Sequence, residues 1–214
     1  MNITKKWQKL KETEIGFGSM LDELIKNMKE YALENNVPIM TEGGINYLMK
    51  FIKKNNIKRI LEVGTAIGYS AIMMCSVDED IHVTTIERDE KRYLEALKNI
   101  KKANYEDRID LIYKDALEVN LNEEYDLIFI DAAKAQNRNF FERFEKNLSE
   151  DGIIITDNMN FHGLVNKDLE SIESRNLRQL VRKVKEYREY LENNKMFTTE
   201  FFDIGDGIAV SRRV

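Results

Sequence analysis

The stretch Arg59-Ile60-Leu61-Glu62-Val63-Gly64-Thr65-Ala66-Ile67-Gly68-Tyr69-Ser70 decides how the chain is read. A short apolar run ends at an acid, and a loop follows with glycines at its first and fifth positions. An apolar-periodic segment over 67–77 begins at once. Strand, tight turn and helix in that order open the nucleotide-binding halves of α/β domains. Glycine suits such a turn because it accepts positive φ and lets a ligand approach the backbone closely.

Outward from this stretch the elements alternate. A strand over 81–86 ends at Glu87, and Asp89 caps a helix over 89–103 with Leu94, Leu97 and Ile100 facing inward. A strand over 109–113 ends at Lys114-Asp115. The run 125–130 is apolar apart from Asp126, as a strand covered on both faces should be, and ends at Asp131. A helix over 136–148 carries Phe140, Phe141 and Phe144, and a strand over 152–156 ends at Asp157-Asn158. A loop of about a dozen residues, longer than most α/β connections, leads to a long helix over about 169–192. Two β-like runs, 196–203 and 207–212, then join as a hairpin through Gly205-Asp206-Gly207.

Upstream, Ser19 and Asp22 resemble a capping pair for a helix with Met20, Leu21, Leu24, Ile25, Met28 and Tyr31 on one face. Val37-Pro38-Ile39-Met40 interrupts it. Thr41 caps a second helix with Ile45, Leu48, Met49 and Ile52 on one face. Residues 1–17 read as a polar arm carrying Trp7. The expected architecture is a single α/β domain built on a doubly wound, mainly parallel, seven-stranded, Rossmann-like sheet. It has an antiparallel C-terminal strand, a helical cap over 1–56 and an α/β core over 57–214.

Composition narrows the class. The 214 residues suffice for one domain with a sizeable core and are short for two. No apolar run approaches membrane-spanning length. No apolar core follows Lys5, Lys6, Lys9 and Lys11, so no signal peptide is expected. The lone Cys75 cannot form an internal disulfide, which fits a reducing compartment, the cytoplasm. Its apolar setting, Ile72-Met73-Met74-Cys75, reads as a buried structural thiol. The net charge of −5 argues against non-specific nucleic-acid binding without excluding a local basic face.

In open α/β sheets, ligands bind outside the carboxyl ends of the strands. Here those ends carry Glu62 with Gly64, Glu87, Asp115, Asp131 and Asp157-Asn158, an acid at every one. Solvation alone accounts for two or three such acids, so the recurrence points to a site. Glu87 lies 23 residues beyond Gly64, close to the roughly 20-residue offset at which an acid grips a ribose hydroxyl. The spacing Gly64-x-x-x-Gly68 lacks the middle glycine that a pyrophosphate needs. It also lacks the Lys-[Ser/Thr] ending of a P-loop. An adenosine without a pyrophosphate fits, and S-adenosylmethionine is the candidate.

The stretches Glu62-Val-Gly64-Thr-Ala-Ile-Gly68-Tyr69-Ser70, Ile-Asp131-Ala-Ala-Lys134 and Thr-Asp157-Asn158 together resemble the metal-dependent O-methyltransferases typified by catechol and caffeoyl-CoA O-methyltransferases. The resemblance runs from about Val37 to the end. Together with Val37-Pro38-Ile39-Met40, Phe161-His-Gly163-Leu-Val165 and Gly205-Asp206-Gly207, it is strongest to the bacterial branch acting on 5-hydroxyuridine in tRNA. It implies methyl-donor contacts at Met40, Glu62, Gly64, Thr65, Ser70, Glu87, Asp115, Ala116 and Asp131. It implies a divalent cation, Mg²⁺ or another, on Asp131, Asp157 and Asn158, with Asp131 and Lys134 catalytic, and it implies a homodimer. Three protein oxygens would leave about three positions on an octahedral Mg²⁺, enough for two adjacent acceptor oxygens and a water.

The loop after Asn158 should shape the acceptor pocket, with Phe161 and His162 as candidate substrate contacts; neither His162 nor His82 is read as a metal ligand. In the long helix, Leu177, Leu180, Val181, Val184, Tyr187 and Leu191 make an apolar face, and Arg175, Arg178, Arg182 and Lys185 a basic stripe roughly opposite. Such a stripe could track the phosphates of a tRNA anticodon loop, or be a solvated outer face. The expected reaction is methylation of tRNA 5-hydroxyuridine to 5-methoxyuridine. A small catechol-like acceptor, or a binding module without turnover, are the alternatives.

Overall fold

Two short helices lead into the sheet. The computed structural model describes residues 18–161 and 163–214, so the 1–17 arm with Trp7, and His162, lie outside the described residues. Helices α1 (Ser19–Glu34) and α2 (Glu42–Lys54) come first. Then follow β1 (Arg59–Val63), α3 (Tyr69–Cys75), β2 (His82–Glu87), α4 (Glu90–Lys102) and β3 (Ile109–Tyr113). The second half holds β4 (Tyr125–Ile130), α5 (Asn137–Phe144), β5 (Leu148–Thr156), α6 (Arg175–Glu192), β6 (Phe197–Phe202) and β7 (Ile208–Arg213).

The seven strands lie in the order β3-β2-β1-β4-β5-β7-β6. β1 to β5 pair in parallel. β7 pairs antiparallel with both β5 and β6, so it alone runs against the rest, as the hairpin requires. The order reverses between β1 and β4, and that switch point opens a crevice above the strands' carboxyl ends.

Strand side chains alternate between the two faces, and both faces are covered. Ile60, Val83, Leu127, Phe129 and Ile155 pack with α1, α2 and α3. Leu61, Val63, Ile128, Ile130 and Ile154 pack with Phe140, Phe141 and Phe144 of α5 and with Tyr187 and Leu191 of α6. This double cover is why 127–130 is wholly apolar, while Asp126 near the strand's start accepts from the Lys58 and Arg59 N–H groups at 2.9 Å. Helices α1 and α2 share the first of these cores, so the helical cap is continuous with the sheet domain.

The capping expectations hold at Thr41, whose hydroxyl accepts from the Gly44 N–H at 3.3 Å, and at Asp89, which accepts from Arg92 N–H at 2.9 Å. Other expectations are corrected. Gly18 stands at the N-cap of α1 with no side-chain cap, and Ser19 is the first helical residue. Leu94 and Leu97 do not face inward; they are 49% and 46% exposed. Helix α4 instead packs through Ala96, Asn99 and Ile100. The loop at Gly68 packs beside Ala96, where an added Cβ would stand at 3.5 Å, and the Asn99 amide donates to the Ile67 carbonyl at 3.0 Å. The long helix starts at Arg175, capped by Ser174, because Leu169–Ser171 closes a separate 3-10 turn capped by Asp168. Similarly, the helix expected over 67–77 contracts to α3, and α5 ends at Phe144 before a 3-10 turn, Glu145–Asn147. Cys75 is fully buried, and burial raises its thiol to about 11, which suits an inert core thiol. Among the described residues no helix is long and apolar enough to cross a membrane.

Candidate active site

The site is one row of the sheet. Strand register places Val63 beside Ile86 and Ile130, and Ile130 beside Thr156. One residue further on, β2, β1, β4 and β5 deliver Glu87, Gly64, Asp131 and Asp157 side by side. The ladder bonds continue past the strand ends to hold them. Gly64 N–H donates to the Ile86 carbonyl at 3.1 Å, Asp131 N–H to Val63 at 3.0 Å, and Asp157 N–H to Ile130 at 3.1 Å. Above the row lies a cavity of about 640 Å³, within the range of clefts that take drug-sized ligands.

On the β2 side, the Glu87 carboxylate is held by three backbone N–H groups: Ala66 at 2.8 Å on one oxygen, Arg88 and Asp89 at 2.9 Å on the other. A carboxylate fixed in this way presents its remaining lone pairs to the cavity, as a grip on vicinal hydroxyls requires. Asp115 closes this end. It accepts from Leu117 N–H at 2.9 Å, capping the turn Ala116–Glu118, and from Arg88 at 3.1 Å. The Leu117 bond first, and then Arg88, hold its carboxyl below the usual range.

Glu62 sits beneath the glycine loop rather than on the cavity wall, with no exposed surface. Ser70 and Thr85 hydroxyls donate to it, the latter at 2.5 Å, and Thr85 in turn meets Thr65 at 2.6 Å. It therefore does not line the cavity but fixes Ser70, and through Thr85 also Thr65, which do. Burial lifts its pKa to about 7, well above an unfolded value near 4.5. A raised folded pKa contributes stability that is complete below the unfolded value and lost as pH rises through the folded one. Glu62→Gln should accordingly gain thermal midpoint relative to wild type between pH 4.5 and 7 and keep a constant gap above that. Midpoints that track in parallel over this window would refute the buried-charge account.

On the β5 side, the carboxylates Asp131 and Asp157 converge with Asn158, whose Nδ2 donates to Asp131 Oδ1 at 2.9 Å. Burial, and then the charge of Asp157, push Asp131 well above the carboxylate range. Burial lifts Asp157 to about 6. Asp157 Oδ1 is buried without a hydrogen-bond partner among the described residues. Lys134 opens the 3-10 turn Lys134–Gln136, with its ammonium 5.5 Å from the centre of the Phe161 ring. Its charge lowers both aspartates, opposing the effect of their burial. Among the described residues no three His, Cys, Asp or Glu side chains form a metal-binding group. The donor set here is two carboxylates and one amide. An orphaned buried carboxylate oxygen beside a second acid fits a hard divalent cation with oxygen ligands.

Backbone strain marks the same place. Among the described residues, six that are not glycine have positive φ. Asn36, Asn56 and Asn104 follow the ends of α1, α2 and α4, where asparagine commonly adopts this conformation. The other three, Ala66, Asn158 and Phe161, all line the cavity. Such strain concentrates at functional sites.

The structure brings together Met40, Gly64, Thr65, Ser70, Glu87, Asp115, Ala116, Asp131, Lys134, Asp157, Asn158 and Phe161 in this cavity. It does not bring Arg175, Arg178 or Arg182 there; α6 contributes Leu180 instead. The basic stripe is partly spent on structure. The Arg178 guanidinium donates to the Ile172 carbonyl at 2.7 and 3.0 Å, and Lys185 to the Lys167 carbonyl at 2.8 Å. These bonds pin the 159–174 loop onto α6, over a small apolar cluster of Phe161, Val165, Ile172, Val181 and Val184. Sequence reasoning missed Asp206, which reads as a hairpin turn residue. The turn places it 8% exposed on the cavity wall, with its backbone carbonyl accepting Asn160 N–H at 2.8 Å. Its flanking glycines were the available signal.

A switch-point cavity with a backbone-held acid at one end and an acid–acid–amide cluster beside a lysine at the other fits a class I methyltransferase. More narrowly, the O-methyltransferase family profile matches residues 15–214, and the chain belongs to that family, whose enzymes take their methyl group from S-adenosylmethionine. It is 31% identical over 195 residues to a caffeoyl-CoA O-methyltransferase from Populus kitakamiensis, covering 87% of this chain and 82% of the relative. A Staphylococcus aureus crystal structure, provisionally described as a caffeoyl-CoA O-methyltransferase, superposes with a TM-score of 0.86 at 40% identity over the whole of both chains. An SAH-bound methyltransferase from Podospora anserina shares the fold, with a TM-score of 0.83 at 21% identity over 99% of this chain and 95% of that one.

Proposed function

We propose that this O-methyltransferase acts on a hydroxyl with an adjacent oxygen, and that the acceptor is the 5-hydroxyl of 5-hydroxyuridine at the wobble position of tRNA, giving 5-methoxyuridine. The observation that carries the reading is the single register row, which sets a ribose-gripping acid and a two-carboxylate cluster at opposite ends of one cavity. In this reading Glu87 holds the ribose, Asp115 and Ala116 the adenine, and Gly64, Ser70 and Met40 the amino-acid end of the donor. The methyl passes from the sulfonium sulfur to the acceptor oxygen, leaving S-adenosylhomocysteine, and the hydroxyl proton departs to solvent.

Asp131, Asp157 and Asn158 would hold a divalent cation, Mg²⁺ by its taste for oxygen ligands. When bound, it supplies Lewis-acid stabilisation of the acceptor's oxyanion. Lys134 adds a fixed positive charge beside the same oxygen, and the Phe161 ring gives the acceptor's plane a surface to lie on. A wobble base is in a single-stranded loop, so it enters such a cavity at low unstacking cost. The neighbouring O4 and 5-hydroxyl reproduce the vicinal oxygens of a catechol. Exposed apolar Met20 and Leu33 on α1 would serve a homodimer, which sedimentation would test.

A second reading, a small catechol-like acceptor, is favoured by the name of the Populus relative and by the engagement of Arg178 and Lys185 within the chain. The deciding experiment supplies S-adenosylmethionine and Mg²⁺, with and without chelator, to tRNA bearing 5-hydroxyuridine and to a catechol, and reads methyl addition by mass spectrometry. Methylation of the tRNA that chelator abolishes is expected. Methyl on the catechol alone sinks the tRNA reading, and turnover that survives chelation sinks the metal. Reversing the exposed Arg175 and Arg182 to Glu should weaken tRNA turnover several-fold if α6 tracks phosphates, and leave it untouched if the stripe is a solvated face.

A further inference from the structure

An aspartate in a hairpin turn ordinarily points into water and is seldom buried. Asp206 departs from that rule. It is only 8% exposed, and it lines the same cavity as Asp131, Asp157 and Asn158. The bonds that shape its turn run through backbone atoms. Gly207 N–H donates to the Ile204 carbonyl at 2.9 Å, and the carbonyls of Asp206 and Gly207 accept from Asn160 and Met159 N–H at 2.8 and 2.9 Å. The last two bonds dock the turn onto the residues that directly follow Asn158.

The fit is close on both sides. A Cβ at Gly205 would stand 2.6 Å from Thr41 Oγ1, at the start of α2, and one at Gly207 would stand 2.6 Å from the Asn160 nitrogen. The turn is therefore wedged between α2 and the loop after β5, and its backbone carries Asp206 to a fixed place beside Asp157. The electrostatics agree with this placement. Of the causes that raise Asp157, burial comes first and the charge of Asp206 second. A third acid next to Asp131 and Asp157 adds like-charge repulsion to a cluster that is already buried. A divalent cation in that cluster turns the same charge to attraction. Among the described residues no three acids form a metal-binding group, so Asp206 stands outside the ligand set.

We infer that Asp206 is the outer-sphere carboxylate for the cation proposed on Asp131, Asp157 and Asn158. It adds negative charge to the site and accepts hydrogen bonds from water that a cation such as Mg²⁺ retains. The inference rests on that proposed cation. Asp206 is then a positioning residue, acting on the acceptor only through the metal. The rival role is structural, a side chain that merely shapes the turn.

The test titrates wild type, Asp206→Asn, Asp206→Ala and Asp157→Asn with Mn²⁺, read by electron paramagnetic resonance, and measures the Kd for S-adenosylmethionine without metal. The asparagine keeps the shape of the side chain and removes its charge. Both Asp206 variants should bind Mn²⁺ about tenfold more weakly than wild type, the low end of what losing an outer-shell partner costs. Added Mg²⁺ should raise their Tm by less than it raises that of wild type. Their metal-free donor Kd should stay at the wild-type value. Mn²⁺ binding by Asp206→Asn at wild-type strength overturns the inference, since a role that survives loss of the charge is structural. A parallel loss of metal-free donor affinity overturns it too, as the mark of a displaced turn. If Asp157→Asn binds Mn²⁺ as tightly as wild type, the cation reading itself fails and the inference with it. If Asp157→Asn is impaired and Asp206→Asn is not, only the inference fails.

Discussion

Gly64→Ala should cost the protein about 3 kcal/mol or more and abolish tight donor binding. Gly64 has φ +104, and a Cβ built there would stand 2.6 Å from the Asp131 carbonyl oxygen and 2.9 Å from Ala132 Cα. Both clashes are with the backbone of the neighbouring strand's end, which no rotamer change relieves. The left-handed conformation costs an alanine about 1–2 kcal/mol, and forced repacking commonly another 1–3 kcal/mol. For a chain of this size that is a fall of roughly 6–12 °C in Tm. The only escape is for the β4 end to retreat, and that moves Asp131 out of the row it shares with Glu87 and Asp157. Calorimetry of donor binding, with a thermal melt, checks both halves. A variant with wild-type Tm and wild-type donor affinity would show that the close approach of β1 to β4 is not required.

Asp157→Asn separates catalysis from stability, since the two should move in opposite directions. Asp157 is 5% exposed, its Oδ1 has no hydrogen-bond partner among the described residues, and burial raises its pKa to about 6. The folded pKa exceeds the unfolded one near 3.8, so the group contributes stability that is complete below pH 3.8 and lost as pH rises through 6. At pH 8 the metal-free wild type carries the whole cost of a buried carboxylate, about 2–3 kcal/mol. The asparagine variant does not carry it. The variant should therefore melt higher than metal-free wild type at pH 8 and no higher at pH 3.5. Its turnover should fall at least about a hundredfold, because the proposed cation would lose a charged ligand. Added Mg²⁺ should stabilise wild type but not the variant. Equal melting at pH 8 together with retained turnover would exclude Asp157 as a strained ligand.

Both predictions concern a row of residues that could be named in advance but not aligned. The strand ends at Glu87, Asp115, Asp131 and Asp157 were readable because the apolar run of each strand stops at an acid; an acid inside a covered strand needs partners, as Glu62 has in Ser70 and Thr85. The caps at Thr41 and Asp89 were readable because capping is local chemistry between residues three apart. Leu94 and Leu97 misled because periodicity reports that a helix has an apolar stripe and not which neighbour it meets. That helix instead meets the sheet domain through Ala96, Asn99 and Ile100, with the Asn99 amide tied to the Ile67 carbonyl. The arginines of α6 misled similarly, since a cation's partner can be a carbonyl at the far end of a loop, as Ile172 is for Arg178.

The chain's linear order was thus enough for the alternation of strand and helix, the adenosyl-type glycine loop and the identity of the acids. These depend on interactions within a few residues or on burial that repeats with a fixed period. Tertiary structure alone decided the register. A shift of one residue between parallel strands would send Asp131 to the opposite face from Asp157, and nothing local to either strand sets that register. It also decided that Glu62 supports Ser70 from below the cavity wall, and that the hairpin turn lays Asp206 against the cavity. Each of these is a contact between segments distant in the chain, made only when the two covered faces of the sheet pack.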